Sequence, residues 1–426
     1  MFQSYPVVLA FAWYFLTMCA VYFLMPIRGA FLMKNLGSEI LPYAFMSNAL
    51  TTALVVWIYG SFAHLPRRQI IGGTLIVLLS SMFIWLFAAV YASTIGWVSF
   101  LFSVWLDIFV ILAATIFWTS IDDIFTFEGA KSTFGFIASA ASLGAIFGST
   151  LSTFFVQRIG TTNMLLLACL TFAAILPVFH FLDKWAVQNG HSKKKNKEEA
   201  VREIKDLSQF IEVGRMIVSS RLLSLLTIAI CFECLVPNLM TYILSLETSL
   251  AYPGTEEMTQ AFSGFFMITN ILAFLVSVLT TSWVFEKVGI AGAMASCAVF
   301  SIGGFAAFAV FPVLISIVIA DCLGDTVRFT LHRSGKEAVY TVAPREVVYR
   351  VKAYIEVFVY RFVSGASGLL LLFLTGKNFL AFSSKGVAMV GIPLSIAWWY
   401  AVYMLGMEFR KSKSEADQEE NKLKLN

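Results

Sequence analysis

The sequence predicts an all-α polytopic membrane protein of about twelve transmembrane helices. Two observations carry that prediction. The chain of 426 residues is 59% hydrophobic and 13% charged, with a mean hydropathy of +0.80, whereas soluble domains are near 45–50% apolar and about a quarter charged. Its apolar residues also fall into successive runs of roughly 20, the length a helix needs to cross the hydrocarbon core. One water-soluble core cannot absorb that excess without leaving a large exposed apolar surface.

Taken in order, the spans lie near 5–26, 40–63, 70–92, 96–120, 134–156 and 162–182. After a polar stretch come 220–245, 261–285, 289–311, 312–331, 351–375 and 385–409. Pro312 marks the least distinct junction, where one long run must hold two short helices. The loops alternate in charge. With both termini in the cytoplasm, the inner loops hold Arg67, Arg68, Lys131, the 183–219 stretch, Lys287, Arg333, Lys336, Arg345, Arg350 and the tail. That places about 21 basic residues inside against about 5 outside, the bias of the positive-inside rule. The 246–260 loop, with Glu247, Glu256 and Glu257 and no Lys or Arg, falls outside.

The expected organisation is an N-terminal six-helix bundle over 1–185, a basic cytoplasmic linker over 186–219, a C-terminal six-helix bundle over 220–409 and a polar tail over 410–426. Within the linker, Ser192-Lys193-Lys194-Lys195-Asn196-Lys197-Glu198-Glu199 reads as a solvated, flexible run. Two halves of six spans match the major-facilitator architecture, whose halves are parallel repeats. A local repeat supports it. Lys131 precedes span 5 and Gly144 follows thirteen residues later, while Lys352 opens span 11 and Gly365 again follows by thirteen. Gly148 and Gly368 come next, and Gly144 with Gly148 forms a G-x-x-x-G that permits close helix contact.

Net charge of +4 spread between apolar runs gives no nucleic-acid footprint. Cys19, Cys169, Cys231, Cys234, Cys297 and Cys322 sit inside or at the edges of apolar segments and read as packing residues. Cys231-Phe232-Glu233-Cys234 lacks the second pair or ordered histidines of a zinc site. No cleavable signal peptide is expected. The chain has no P-loop, H-E-x-x-H or G-x-S-x-G sequence. Neither a cofactor nor an enzymatic activity is therefore expected.

Ionisable residues within spans cost at least about 2.5–3.5 kcal/mol each and so mark partners or function. Arg28 ends span 1 just after Pro26, Asp107 lies in span 4, and Asp122 and Asp123 stand where that span leaves the membrane. Glu233 and Asn238 lie in span 7, Asn270 in span 8, Asp321, Asp325 and Arg328 in span 10, and Glu356 and Arg361 in span 11. Asp321, Asp325 and Arg328 are spaced i, i+4, i+7 and share a helix face. One reading has Asp325 and Arg328 neutralising each other as structural glue. The other makes Arg28, Arg328 and Arg361 the cationic lining of an anion site, since guanidinium clamps carboxylate or phosphate. Asp107, Glu233 and Glu356 would then couple protons or hold the arginines. His64 and His180 read as interfacial residues at span ends.

Several segments together resemble the nucleotide transporter family, the non-mitochondrial ATP/ADP translocases of plastids and intracellular bacteria. Pro26-Ile27-Arg28-Gly29-Ala30-Phe31-Leu32 with Gly37-Ser38-Glu39-Ile40-Leu41-Pro42 resembles that family's first span and return. Phe117-Trp118, Asp122-Asp123-Ile124-Phe125 and Glu128-Gly129-Ala130-Lys131-Ser132-Thr133-Phe134-Gly135-Phe136-Ile137 resemble its passage from span 4 to span 5. Pro344-Arg345-Glu346 and Val351-Lys352-Ala353-Tyr354-Ile355-Glu356-Val357 resemble its entry to span 11. The resemblance implies that Arg28 is the family's basic residue at the end of span 1 and Asp107 its span 4 acid. It departs at three places: Gly29 replaces the acid after Arg28, Pro237-Asn238 replaces the acid after Leu235-Val236, and Ser364 replaces a lysine with Arg361 one turn earlier.

The implied activity is secondary transport of a small anionic solute, a nucleotide such as ATP or ADP first, across the bacterial inner membrane by alternating access. Other metabolites (a siderophore, organic acid or amino acid) and a non-transporting membrane sensor or scaffold are the alternatives. Substrate and membrane lipid are the partners expected, and the protein is expected to act as a monomer.

Overall fold

Apolar composition of this density leaves the backbone one economical way to satisfy its N–H and C=O groups away from water, the helix. The computed structural model describes residues 4–61, 67–125, 127–189, 207–342, 351–352 and 354–425, and every regular element among them is helical. The basic run from Ser192 to Glu199, the segment Pro344-Arg345-Glu346, and His64 lie outside the described residues, as do the side chains of Asp123 and Lys131.

Helix α1 covers Ser4–Leu36 and is followed by a 3-10 turn, Ser38–Ile40. Then come α2 (Leu41–Ser61), α3 (Arg67–Ala92), α4 (Gly96–Ile124), α5 (Phe127–Ala173) and α6 (Ile175–Gln188). Beyond the linker lie α7 (Leu207–Ser219), α8 (Arg221–Ala251), α9 (Thr255–Leu279) and α10 (Thr281–Val310). Helix α11 (Leu314–Val327) runs through a π-helical turn, Arg328–His332, into α12 (Arg333–Tyr340). A second π-helical segment, Tyr354–Val359, leads into α13 (Tyr360–Thr375), and α14 covers Ser384–Leu425.

Nine stretches among the described residues are long and apolar enough to cross a membrane. One of them, Phe134–Gln188, would extend roughly 80 Å as a straight helix against a hydrocarbon core of about 30 Å. It breaks at Gly160, whose φ of 82° and ψ of 161° are open to glycine, so it makes two passes. Gly289, with φ 77°, breaks α10 in the same way. With α2 and the α11–α12 run added, the passes number twelve among the described residues.

Two expectations are revised. Span 10 extends to Tyr340 rather than closing at 331, so Arg333 and Lys336 belong to the helix and not to an inner loop. Residues 207–219 of the linker form an amphipathic helix that buries Val213 and Ile217. The polar tail is helical and continues α14.

The helices gather into two compact units. The first draws on Met1–Ile40, Leu50–Ala200 and Thr248–Asn270, the second on Leu41–Ala49, Val201–Glu247 and Ile271–Asn426. Two short segments thus group differently from a division at the linker: 41–49 joins the second unit and 248–270 the first. In the first unit α1 is the core helix, burying Trp13, Phe23, Leu24 and Ile27 against Phe102, Phe109 and Phe117 of α4 and Phe172 of α5. Gly144 and Gly148 bring α5 onto it. A Cβ at Gly148 would sit 2.7 Å from the Cys19 carbonyl oxygen, and one at Gly144 would collide with that of Phe15. The Ser152 and Ser263 hydroxyls bond at 2.7 Å and the Gln157 amide donates to Gln260 at 2.6 Å, tying α5 to α9. In the second unit Gly368 lets α13 approach the Pro42 carbonyl and Met46 of α2. The small-residue face recurs in both units, as its spacing predicts, but on different neighbours.

Candidate functional site

Charged side chains inside these helices are the places where the structure departs from an apolar bundle, and each must find a partner or water. In the first unit, Arg28 donates from Nη1 to Asp107 Oδ1 at 2.6 Å, joining α1 to α4. The two side chains are 27% and 14% exposed. Pro26 stands one half-turn before Arg28 inside α1, where the ring removes a backbone donor from the ladder.

The second unit holds the richer set. Arg328 donates from Nε and Nη2 to Asp325 Oδ1 at 3.1 and 2.8 Å, within its own helix, and its guanidinium lies 4.7 Å from the Phe329 ring centre. The pair therefore neutralises itself along span 10 rather than gluing that span to span 11. Asp321 sits half-buried one turn before Asp325. On α8, Asn238 donates to Ser367 Oγ of α13 at 2.6 Å, and Ser367 donates in turn to the Ser364 carbonyl at 2.7 Å. Arg361 donates from Nη1 to Asn48 Oδ1 at 3.0 Å and lies 5.9 Å from the Tyr360 ring centre. Among the described residues no carboxylate pairs with Arg361.

Where the end of span 10 meets the start of span 11, four ionisable groups come together. Glu233 Oε2 lies 3.6 Å from His332 Nδ1 and 3.5 Å from Lys336 Nζ. Lys336 Nζ is also 3.6 Å from Glu356 Oε1. At the edge, Lys352 donates to both carboxylate oxygens of Glu337 at 2.7 Å. His332 is fully buried, Glu233 and Lys336 nearly so. Arg328 and His332 stand on one π-helical turn and Glu356 on the other. Such turns are uncommon and recur at functional sites.

Of the residues singled out from the sequence, Arg28 and Asp107 meet in the first unit, and Arg328 meets Asp325 in the second. Glu233 and Glu356 are brought together through Lys336, and Asn238 is tied to span 11. His332, Lys336 and Asn48 were not anticipated. The signal for the first two was the i, i+4 pair His332 and Lys336 with Leu331 and Val339 beside them, which continues the apolar pattern past residue 331. His180 is exposed on α6 beside Phe181, in keeping with an interfacial residue. All six cysteines are free, and no group of potential metal ligands occurs among the described residues.

A sequence model of the Major Facilitator Superfamily matches residues 7–327. The chain belongs to that superfamily. No curated protein matches it. Among solved structures, the nucleoside transporter NupG is similar at a TM-score of 0.66 and 14% identity, over 94% of this chain and 98% of that one. A POT-family peptide transporter mutant is similar at a TM-score of 0.67 and 12% identity, over 94% and 95%. A POT-family transporter in complex with 5-aminolevulinic acid is similar at 0.64 and 10%, over 95% and 96%. At these identities the likeness establishes the fold alone. This major facilitator is an integral membrane protein with the architecture of a secondary transporter.

Proposed function

We propose that this major facilitator carries a small organic anion across the bacterial inner membrane by alternating access, with a nucleotide such as ATP or ADP the first substrate to test. The observation that supports the reading is Arg361. A guanidinium inside a membrane helix, held by the neutral amide of Asn48 and no described carboxylate, is a fixed positive charge suited to an anion, because the bidentate fork matches carboxylate and phosphate. Arg328, held by Asp325 in the same unit, is a further anion ligand whose carboxylate stands in when substrate is absent. Asn238 and Ser367 add neutral hydrogen-bonding groups in the same unit as Arg361. The segments that resemble the nucleotide transporters favour nucleotide over other organic anions, which satisfy the same charge. Both termini are cytoplasmic in this reading, and the protein acts as a monomer.

The test is uptake of labelled ATP by purified protein in liposomes, with and without ADP inside. Uptake that depends on preloading and is abolished in Arg361→Ala supports nucleotide exchange. Absence of uptake by folded protein, with ATP, ADP and a panel of organic acids offered in turn, refutes the anion reading.

A further inference from the structure

Resting on the anion-transport reading above, we propose that Asn48 is a positioning residue for Arg361. Its amide holds one arm of the guanidinium, presents the Nε–Nη2 edge to the anion, and leaves the positive charge uncancelled, so the residue at position 48 sets the preference for an anionic solute.

Arg28, Arg328 and Arg361 all stand within helices, and their partners differ in charge. Arg28 faces Asp107 and Arg328 faces Asp325, so each is neutralised where it stands. Arg361 instead donates from Nη1 to Asn48 Oδ1 at 3.0 Å, an ordinary hydrogen-bond length, to a side chain that carries no charge. A guanidinium has five N–H donors in a fixed planar fork. With Nη1 committed to Asn48, Nε and Nη2 of Arg361 bond to no other described residue. That edge is suited to a carboxylate or phosphate, which it grips with two parallel bonds. Arg328 shows the same edge filled, its Nε and Nη2 both donating to Asp325 Oδ1 at 3.1 and 2.8 Å.

The packing of α2 against α13 fixes the arrangement. Gly365 stands one turn after Arg361 and faces α2, where a Cβ would lie 3.2 Å from that of Ala49. Gly368 faces the Pro42 carbonyl and Met46, and a Cβ there would collide with that carbonyl. The two glycines therefore bring α13 against the stretch from Pro42 to Ala49, which groups with the second unit. Asn48 reaches Arg361 from this closely packed stretch, and a binding group is held to its geometry when its support is rigid. The Tyr360 ring, 5.9 Å from the guanidinium, adds a neutral flank. An arginine held in place before the solute arrives loses less rotamer freedom on binding.

Aspartate at position 48 separates this role from a structural one. It has the size of asparagine and keeps an oxygen facing Nη1. A charge-assisted bond is the stronger one, so a residue needed only to satisfy Arg361 is served at least as well by aspartate. A residue that must leave the charge uncancelled is not.

The experiment measures the concentration dependence of ATP uptake by full-length wild-type, Asn48→Asp and Asn48→Ala protein in liposomes. Asn48→Asp is expected to raise the half-saturating ATP concentration about 10- to 100-fold, the loss of one hydrogen bond to a charged group. Asn48→Ala, which keeps the charge but not the hold, is expected to raise it less. A half-saturating concentration that stays at the wild-type value in Asn48→Asp, even with a lower maximal rate, overturns the proposal. The second arm compares thermal midpoints of the detergent-purified proteins without substrate. Asn48→Asp is expected to raise the midpoint by giving Arg361 a counter-ion, and the gain is expected to vanish when Arg361→Gln is added. A midpoint that aspartate leaves unchanged or lowers while Arg361 is present overturns the contact. If the wild type takes up no ATP, the substrate assignment above fails, while the midpoints still decide whether Asn48 holds Arg361.

Discussion

Replacing Asp107 by leucine removes the carboxylate that faces Arg28 and leaves a guanidinium among apolar helices. At 2.6 Å the pair attraction is about 6 kcal/mol for an effective dielectric constant of 20, much of it spent on desolvating both ions. Removing one partner of a fully buried pair costs about 3–5 kcal/mol, because the other charge stays behind. Here the side chains are 27% and 14% exposed, water reaches the guanidinium, and the expected cost of Asp107→Leu falls to about 2 kcal/mol. For a unit of this size that lowers the thermal midpoint by roughly 4–8 °C. Arg28→Met on its own strands the acid and is expected to behave alike. The double variant replaces the pair by apolar groups and recovers roughly 1–2 kcal/mol relative to the sum of the singles. The assay is a double-mutant cycle on detergent-purified protein, followed by tryptophan fluorescence at one scan rate, since midpoints depend on it when unfolding is irreversible. Strictly additive singles would refute the claim that the two residues hold each other.

Gly148→Val forces a side chain towards the Cys19 carbonyl, where even a Cβ would lie at 2.7 Å against an ordinary contact of 3.4 Å or more; α1 must withdraw, at a cost of about 1–3 kcal/mol, read in the same melt. An unchanged midpoint would mean that α5 does not depend on that approach. Lys336→Met leaves Glu233 and Glu356 facing each other without their ammonium and is expected to destabilise by about 3–5 kcal/mol, with partial recovery when Glu233→Gln is added. No recovery in the double variant contradicts the placement of Lys336 between them. Asn238→Ala loses the 2.6 Å bond to Ser367 and is expected to cost about 0.5–1.5 kcal/mol, measured as the shift in thermal midpoint; a midpoint equal to the wild type's would show that this bond does not tie span 7 to span 11.

Most of the architecture was legible because bilayer thickness converts directly into run length. The apolar runs and the alternation of loop charge locate the passes without any tertiary information. Gly144 and Gly148 were legible as a contact face for a related reason: a pair of glycines four apart in an apolar helix has few uses other than close approach. The limits of span 10 were not legible. Arg333, Lys336 and Glu337 look like the start of a loop when charge is counted along the chain, yet two helical turns beyond residue 331 keep Leu331, Val339 and Tyr340 buried. The charge of Lys336 is absorbed by Glu233 and Glu356, which are about 100 and 20 residues away in sequence. Pairings of that kind depend on which face of each helix turns inward. The two π-helical turns shift that face locally, and no composition signal announces them. Asn48 was missed for the same reason, since an amide early in span 2 carries no charge to draw attention.

The central claim is that a membrane-embedded guanidinium, Arg361, selects an anion. Its most direct test compares labelled ATP with labelled adenosine, the same base and sugar without phosphate, in one set of liposomes carrying wild-type or Arg361→Gln protein. The account predicts uptake of ATP over adenosine by the wild type and loss of that preference in the variant. Equal uptake of both by the wild type, or a preference for ATP that survives without Arg361, would contradict it.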